Sequence, residues 1–388
     1  MPAHSYTPLE LIERLVSFDT TSRNSNLQLI DFVADYLAGH GVKSTLIHDA
    51  SGTKANLFAT LGPPEAGGIV LSGHTDVVPV DGQDWHSDPF SVRRRDNRLY
   101  GRGTADMKSF CATALALVPE YLSQPRSTPL HLAFSYDEEV GCLGVHGIVK
   151  HLHAIGKRPR LCIVGEPTEM QVVDTHKASM GVDTSVVGLE AHSSAPHTGV
   201  NAVMVAADMI SFLGRLAEEL KGRKVPGAER FDPPYTTVDV GTVQGGTARN
   251  IVPRHCRFGW GVRAIPGTDL AEPLDRLERF AEQELLPRMR KVHAGAEIIH
   301  EVRARIAALR PEPGSPAESL VLSLVESNQT LAVSYGTEGG LFQEAGIPTV
   351  VCGPGNIRDA HKPDEFIELS QVAACEGFMR KLLQRMAA

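Results

Sequence analysis

The apolar positions in the first part of the chain alternate between helical and strand spacing. Thr7-Pro8-Leu9-Glu10 is a capping box with proline at the first helical position, and it predicts a helix that continues to Val16. The same reading predicts helices over 29–37, 110–121 and 145–152, and strands over 69–71, 130–136 and 161–164. Short apolar strands that alternate with helices indicate a largely parallel, doubly wound α/β sheet.

After Lys177 the pattern changes to that of a half-exposed sheet. A strand over 180–187 is followed by a helix over 200–221, strands over 236–243 and 257–265, a helix over 270–290 and a strand near Ile298. This β-α-β-β-α-β order predicts a ferredoxin-like α+β domain. The proline- and glycine-rich stretch 310–316 then leads to another core strand over 348–352. We therefore predict a main domain made of residues 1–178 and 301–388, with an inserted domain over 179–300.

Length, charge and cysteine usage narrow the class of protein. A chain of 388 residues exceeds the size of one ordinary hydrophobic core. The formal charge of -8 leaves no basic surplus for phosphates, so a small soluble substrate is a better expectation than nucleic acid. Six scattered cysteines without a C-x-x-C pair are typical of a reducing cytosol. Because neither an export signal nor a membrane-length apolar run is found, we expect a cytoplasmic protein without a membrane partner.

Five potential metal ligands stand in separate stretches, each after an apolar or glycine-rich run: His74, Asp106, Glu139, Glu166 and His361. Such positions lie at strand or loop ends, where ligands bind at the rim of an α/β sheet. Two imidazoles and three carboxylates suit zinc, cobalt or manganese, and they are too few to close two coordination spheres. Open coordination positions imply bound water, and hence hydrolysis.

The residues at and near the candidate ligands also have ordinary structural interpretations. Asp76 stands two residues after His74, so on extended chain its carboxylate can orient the imidazole, but the two could equally be a strand-end histidine and a nearby acid. Asp106 precedes a predicted helix and, taken alone, is better explained as its N-cap. The agreement of all five positions favours the metal site.

The acidic pair Glu138-Glu139 follows an apolar strand. If both residues were extended, their side chains would point to opposite sides, so that one could bind metal while the other holds water. A divalent cation would also relieve the repulsion between them. The alternative is a solvated acidic turn.

The last two candidates have different settings in the chain. Glu166 precedes Pro167 and is therefore expected to be extended, whereas His361 alone would be an ordinary loop residue.

The chain resembles the di-zinc M20 peptidase and deacylase family over nearly its whole length. The resemblance rests on His74-Thr75-Asp76, Gly103-Thr104-Ala105-Asp106-Met107-Lys108, Glu138-Glu139, Gly165-Glu166-Pro167-Thr168 and Ala360-His361-Lys362-Pro363-Asp364-Glu365. Within the family, the last motif together with Thr337-Glu338-Gly339 and Val351-Cys352-Gly353-Pro354-Gly355 is most similar to the acetylornithine deacetylase branch.

The resemblance implies a role for each ligand candidate. Asp106 would bridge two divalent ions, zinc or alternatively cobalt, with His74 and Glu166 on one ion and Glu139 and His361 on the other. Glu138 would be the general base, and the peptide bond between Asp106 and Met107 would be cis. Ser109 departs from the family, in which glycine often follows the Asp-Met-Lys motif, although a small residue should be tolerated there.

For the inserted domain, the resemblance implies dimerisation and a lid that moves over the site. His192, in the motif 188–196, would reach the site of a neighbouring subunit, so the active form would be a homodimer. Asn250 and Arg263 match positions that hold the substrate carboxylate in relatives, but they could also be surface polar residues on strands.

In the main domain, Glu338 would either recognise the side-chain ammonium of the substrate or be a solvated acid in a turn.

The activity implied by the resemblance is removal of the acetyl group from N2-acetyl-L-ornithine, which yields L-ornithine and acetate for arginine biosynthesis. The alternatives inside the family are a succinyl-diaminopimelate desuccinylase, an N-acyl-amino-acid deacylase such as one for acetylcitrulline, and a dipeptidase. An alternative of another class is a binding protein that kept the fold without catalysis. That hypothesis predicts a broken ligand set, and the five ligand candidates are all present.

Overall fold

The structure is a computed structural model that describes residues 5–63 and 67–387. Its helices are α1 (Pro8–Val16), α2 (Leu27–Gly39), α3 (Lys108–Ala116), α4 (Val118–Leu122), α5 (Val145–Ala154), α6 (Ala202–Gly222), α7 (Glu272–Phe280), α8 (Leu286–Arg290), α9 (Pro316–Val325), α10 (Gly339–Glu344) and α11 (Leu369–Met386). Its strands are β1 (Ser44–His48), β2 (Ala55–Leu61), β3 (Ile69–His74), β4 (Arg93–Arg95), β5 (Arg98–Tyr100), β6 (Leu130–Ser135), β7 (Leu161–Pro167), β8 (Val173–His176), β9 (Ala178–Val187), β10 (Ala191–His192), β11 (Thr237–Gly245), β12 (Ile251–Val252), β13 (His255–Ala264), β14 (Glu297–Ile306), β15 (Leu331–Val333), β16 (Thr349–Gly353) and β17 (Phe366–Glu368).

The chain forms two compact units. Unit 1 comprises Met1–Thr175, Leu309–Ala332 and Thr337–Ala388, and unit 2 comprises His176–Ala308 and Val333–Gly336. The boundary expected between residues 300 and 301 falls inside β14. That strand stays paired with β9 as far as Ile306, opposite Ser179, because the ladder of hydrogen bonds continues. The structural boundary therefore lies at the loop that follows β14.

Unit 1 is built around an eight-stranded sheet with the order β1-β2-β6-β3-β7-β16-β8-β15. The neighbouring strands β6, β3, β7 and β16 pair in parallel, and β1 and β2 continue the sheet in antiparallel fashion. Every residue of β3, β6 and β7 is buried, as expected for parallel strands covered on both faces. The predicted doubly wound α/β class is confirmed.

The parallel strands bring the predicted ligands to one edge of the sheet. β3 ends at His74, β6 ends shortly before Glu138 and Glu139, and β7 contains Glu166 as its penultimate residue. His361 lies in the segment that follows β16. Because parallel strands share a direction, their carboxyl ends meet at the same edge, and the topology places a candidate site there.

Two predicted helices show how local chemistry sets helix ends. The capping box at Thr7 is present, with the Glu10 carboxylate accepting from the Thr7 backbone N–H, and α1 begins at Pro8. The helix predicted over 110–121 is instead two helices, α3 and α4, separated at Leu117. Pro119 explains the break, since proline lacks an N–H and its ring clashes with the carbonyl four residues earlier.

None of the helices in the described ranges has the length and apolarity needed to cross a bilayer.

Unit 2 has the predicted ferredoxin-like order of elements. Its four-stranded sheet, β11-β13-β9-β14, is antiparallel throughout. The helices α6 and α7 fall in the chain where the β-α-β-β-α-β pattern requires them. The side chains of β9 and β13 alternate between buried and more exposed, which gives the unit its own hydrophobic core on one sheet face. The helix predicted over 270–290 is α7 and α8 with π-helical geometry at Ala281–Leu285 between them.

We expect the buried imidazole of His131 on β6 to make unit 1 sensitive to acid. Its Nε2–H donates to the Gly67 carbonyl at 2.9 Å, Nδ1 accepts from the Thr60 hydroxyl at 3.0 Å, and the ring stacks on Phe58. Burial lowers the pKa of His131 from 6.5 to about 4. Because the unfolded chain then binds this proton more tightly than the folded protein, stability falls as the pH drops from about 6.5 to about 4, by about 3 kcal/mol in all.

The measurement is the free energy of unfolding in urea at several pH values, for the wild type and for His131→Gln. The variant should lose the part of the pH dependence that falls in this window, because glutamine does not titrate. His146→Gln is the control, since it makes the same replacement at an exposed imidazole, on α5. Identical profiles for the wild type and His131→Gln would contradict the assignment.

Candidate metal centre

The five predicted ligands meet in unit 1 around the carboxylate of Asp106. His74 Nε2 lies 2.9 Å from Asp106 Oδ1 and 3.7 Å from Glu166 Oε1. His361 Nε2 lies 3.2 Å from Asp106 Oδ2 and 3.1 Å from Glu139 Oε1. The two oxygens of Asp106 therefore face two different imidazoles, and each imidazole also has one further carboxylate beside it.

The electrostatics of the cluster favour cations. Burial raises the pKa of Glu139 to about 7, and it raises the pKa values of Glu138 and Glu166 well above their usual range. Burial also acts to raise the pKa of Asp106, but the hydrogen bonds with His361 and His74 outweigh it and lower that pKa. Several carboxyl groups with only two imidazoles beside them form a nitrogen and oxygen donor set that divalent cations would neutralise, so the residues fit such ions.

Asp76 supports this cluster in a different way from the one predicted. The ring Nδ1–H of His74 donates to the backbone carbonyl of Asp76 at 2.9 Å, whereas the nearer carboxylate oxygen is 3.6 Å away. The carboxylate instead accepts hydrogen bonds from Ser22 Oγ and from the backbone N–H groups of Glu138 and Glu139, at 2.7, 3.1 and 3.3 Å. Asp76 thus fixes the imidazole through its main chain and the acidic pair through its side chain.

The acidic pair lies in a turn and not on the strand. β6 ends at Ser135, and Asp137 has a positive φ of 54°, so the strand alternation expected to separate Glu138 from Glu139 does not apply. The alternative of a solvated turn is also wrong, because Glu138 is 8% exposed and the Glu139 side chain is 7% exposed. The Cys142 thiol donates to Glu138 Oε1 at 3.2 Å, while Glu139 faces His361.

The loop that carries Asp106 is held by a carboxylate that the sequence analysis did not single out. Glu365 Oε1 accepts from the backbone N–H groups of Gly103, Ala105 and Asp106 at 2.9, 2.9 and 3.2 Å. Its other oxygen accepts from the buried Arg102 guanidinium at 2.6 Å. Glu365 is the last residue of the motif that contains His361, and its presence in that motif was the signal in the sequence that could have pointed to a role at the site.

Further details of the same loop agree with the family resemblance. The peptide bond between Asp106 and Met107 is cis, as the resemblance implied. Met107 occupies the N-cap position of α3 and makes no side-chain cap, so Asp106 is not the helix cap that it would be in isolation. Ser109 is buried, and its hydroxyl donates to the Thr104 carbonyl, so the departure from glycine is accommodated.

Glu338 differs from both interpretations of the sequence. It is 1% exposed, and its two carboxylate oxygens accept hydrogen bonds from Ser72 Oγ, at 2.9 Å, and from Ser135 Oγ. The interpretation as a solvated turn acid is therefore wrong. The carboxyl group is also buried in unit 1, where each oxygen accepts from a serine hydroxyl, so its position does not support recognition of a substrate ammonium.

The other predicted site residues, His192, Asn250 and Arg263, lie in unit 2 and are exposed. His192 is on β10, and its Nδ1 accepts from the backbone N–H of Ser194 at 3.1 Å, which leaves Nε2 as a donor. Asn250 immediately precedes β12, and Arg263 is near the end of β13, with Nη1 3.5 Å from the Ser334 carbonyl. The structure thus groups the ligands in unit 1 and these three residues in unit 2.

The chain is similar in sequence to a known family and in fold to solved structures. The family model described as Peptidase family M20/M25/M40 matches residues 70–385. The acetylornithine deacetylase of Pasteurella multocida is 32% identical over 97% of this chain and 96% of its own. Among solved structures, an M20 family metallo-carboxypeptidase from Sulfolobus solfataricus is 18% identical with a TM-score of 0.77, covering 98% of this chain and 99% of its own. YXEP from Bacillus subtilis, a dinuclear metal-binding M20 peptidase, is 14% identical with a TM-score of 0.60, covering 97% and 96%.

Proposed function

Because the chain belongs to peptidase family M20/M25/M40, we propose that it is a metal-dependent amidohydrolase that removes the acetyl group from N2-acetyl-L-ornithine. Membership of this family confirms the expectation of a hydrolytic enzyme. The observation that carries the proposal is the meeting of five nitrogen and oxygen donors around Asp106. The substrate is supported by the relative named acetylornithine deacetylase, whose similarity extends over nearly all of both chains.

Two divalent ions, zinc or cobalt, would be held by the five donors of unit 1. Asp106 would bridge them, because each of its oxygens faces a different imidazole. His74 and Glu166 would complete one position, and Glu139 and His361 the other. When bound, such ions polarise an acyl carbonyl and make water more acidic.

The side chains of the protein would then move the proton and orient the substrate. Glu138, buried beside the ligands, takes a proton from the attacking water and returns it to the leaving amine. His192 of a neighbouring subunit donates a hydrogen bond to the developing oxyanion through Nε2. Asn250 and Arg263 hold the α-carboxylate of the substrate. Their exposure in unit 2 leaves both polar groups accessible to a ligand.

The same proposal includes a homodimer formed through unit 2, since His192 would act on the site of a second subunit. It also places the enzyme in the cytoplasm and in arginine biosynthesis, with a small N-acyl amino acid as substrate and no role for nucleic acid or membrane. The charge of -8 supports the absence of a nucleic-acid partner.

A substrate panel tests the proposal. We expect acetylornithine to give the highest kcat/KM when it is compared with acetylcitrulline, succinyl-diaminopimelate and dipeptides. Activity should disappear after exhaustive chelation and return when zinc or cobalt is added. A higher kcat/KM on one of the other substrates would replace the substrate assignment by that activity. Undiminished turnover of the fully chelated protein would contradict metal-dependent hydrolysis.

A further inference from the structure

Glu338 is a buried carboxyl group whose two hydrogen-bond partners are neutral hydroxyls. It is 1% exposed in the interior of unit 1, at the start of α10, and it accepts from Ser72 Oγ and Ser135 Oγ. Burying a carboxylate without a cation costs free energy, so such a residue calls for an explanation other than stability.

The two serines belong to the strands that present the metal donors. Ser72 lies two residues before His74 on β3, so the two side chains share a face of the sheet. Ser135 is the last residue of β6 and is the register partner of His74 in the parallel pair β3–β6. From Ser135 the chain continues directly into the turn that contains Glu138. One carboxyl group therefore joins the strand that carries the first imidazole to the strand that leads to the acidic pair.

We propose that Glu338 is a positioning residue that clamps the carboxyl ends of β3 and β6 together and so preorganises the metal centre. The inference rests on the proposed metal site. The clamp needs the length of the side chain and its two hydrogen bonds to Ser72 and Ser135. It does not need the negative charge.

The two hydroxyl partners do not require a charge on Glu338. Burial raises the pKa of Glu338, and the hydrogen bond from Ser135, the nearby His74 and the hydrogen bond from Ser72 only partly oppose that effect. A protonated carboxyl group can donate to one hydroxyl and accept from the other. Glutamine has the same length, with an acceptor oxygen and a donor nitrogen, and can make the same two contacts. Alanine can make neither.

Zinc affinity of the metal-free protein, measured by competition with a chelating dye, tests the clamp. We expect Glu338→Ala to weaken zinc binding about 10- to 100-fold, as is usual when a group that orients metal ligands is removed. Glu338→Gln should stay within a few-fold of the wild type. The double variant Ser72→Ala with Ser135→Ala should match Glu338→Ala, and adding Glu338→Ala to it should cause little further loss, because all three changes break the same unit.

Thr113→Val is the matched control, since it removes another buried hydroxyl of unit 1, one that lies on α3 and donates to the Ser109 carbonyl at 2.8 Å. It should bind zinc like the wild type. Wild-type affinity in Glu338→Ala would overturn the clamp, as would an equal loss in Glu338→Gln, which would assign the effect to charge. Failure of the wild type itself to bind zinc would instead overturn the proposed metal site.

Discussion

Glu138→Gln is expected to lose most deacetylation turnover while it keeps its metal. The amide retains the size of the carboxyl group and an oxygen that can accept from the Cys142 thiol, so the turn should not move. The Asp76 carboxylate accepts hydrogen bonds from backbone N–H groups of this turn, and these bonds do not depend on which side chain stands at position 138. What is lost is a group that can take up and return a proton, which is worth about 10²- to 10⁴-fold in kcat.

The neighbouring residue provides the sharpest control for this prediction. Glu139 faces His361 at 3.1 Å, so Glu139→Gln should lose metal together with activity. The measurements are metal content after dialysis, by elemental analysis, and kcat for acetylornithine with saturating zinc. If Glu138→Gln kept wild-type turnover, Glu138 would not be the base. If it lost metal as fully as Glu139→Gln, the separation of roles within the acidic pair would be wrong.

The fold could be predicted from sequence because it depends on local periodicity. Continuous apolar runs such as 161–164 and helical spacing in the intervening segments are properties of neighbouring residues, and they determine a doubly wound sheet. The edge that gathers the ligands follows from the parallel direction of the strands. The break at Pro119 was also visible in the sequence, and it was missed because the apolar pattern continues across it.

The hydrogen bonds that hold the site in place could not be predicted in the same way, since they join segments that are distant in the chain. The carboxylate of Asp76 turned out to hold the backbone of the acidic pair, more than 60 residues away in the chain. Glu365 reaches the backbone of the Asp106 loop across a far longer gap, 260 residues for Ala105 and 259 for Asp106. Residue type and position predicted the candidate metal donors, but the sequence gives no sign of which backbone groups a buried carboxylate will meet.

Asp106→Asn is expected to lose both metal ions and all activity, because Asp106 is the donor shared by the two halves of the cluster. One oxygen lies 2.9 Å from His74 Nε2 and the other 3.2 Å from His361 Nε2. Asparagine replaces one oxygen by an N–H donor and removes the negative charge, so a bridge between two cations can no longer form. Glu365 contacts the backbone of this loop, so the loop itself should persist.

The measurements for Asp106→Asn are metal content after dialysis, deacetylation activity and the thermal unfolding of the metal-free protein, which should stay close to that of the wild type. Asp174→Asn is the matched control, because Asp174 is a buried aspartate of β8 that accepts from the Thr330 hydroxyl, outside the ligand cluster. That variant should bind metal normally. Retention of one ion at full affinity by Asp106→Asn would show that Asp106 serves a single ion, and the bridging role would have to be abandoned even if the hydrolase assignment stood.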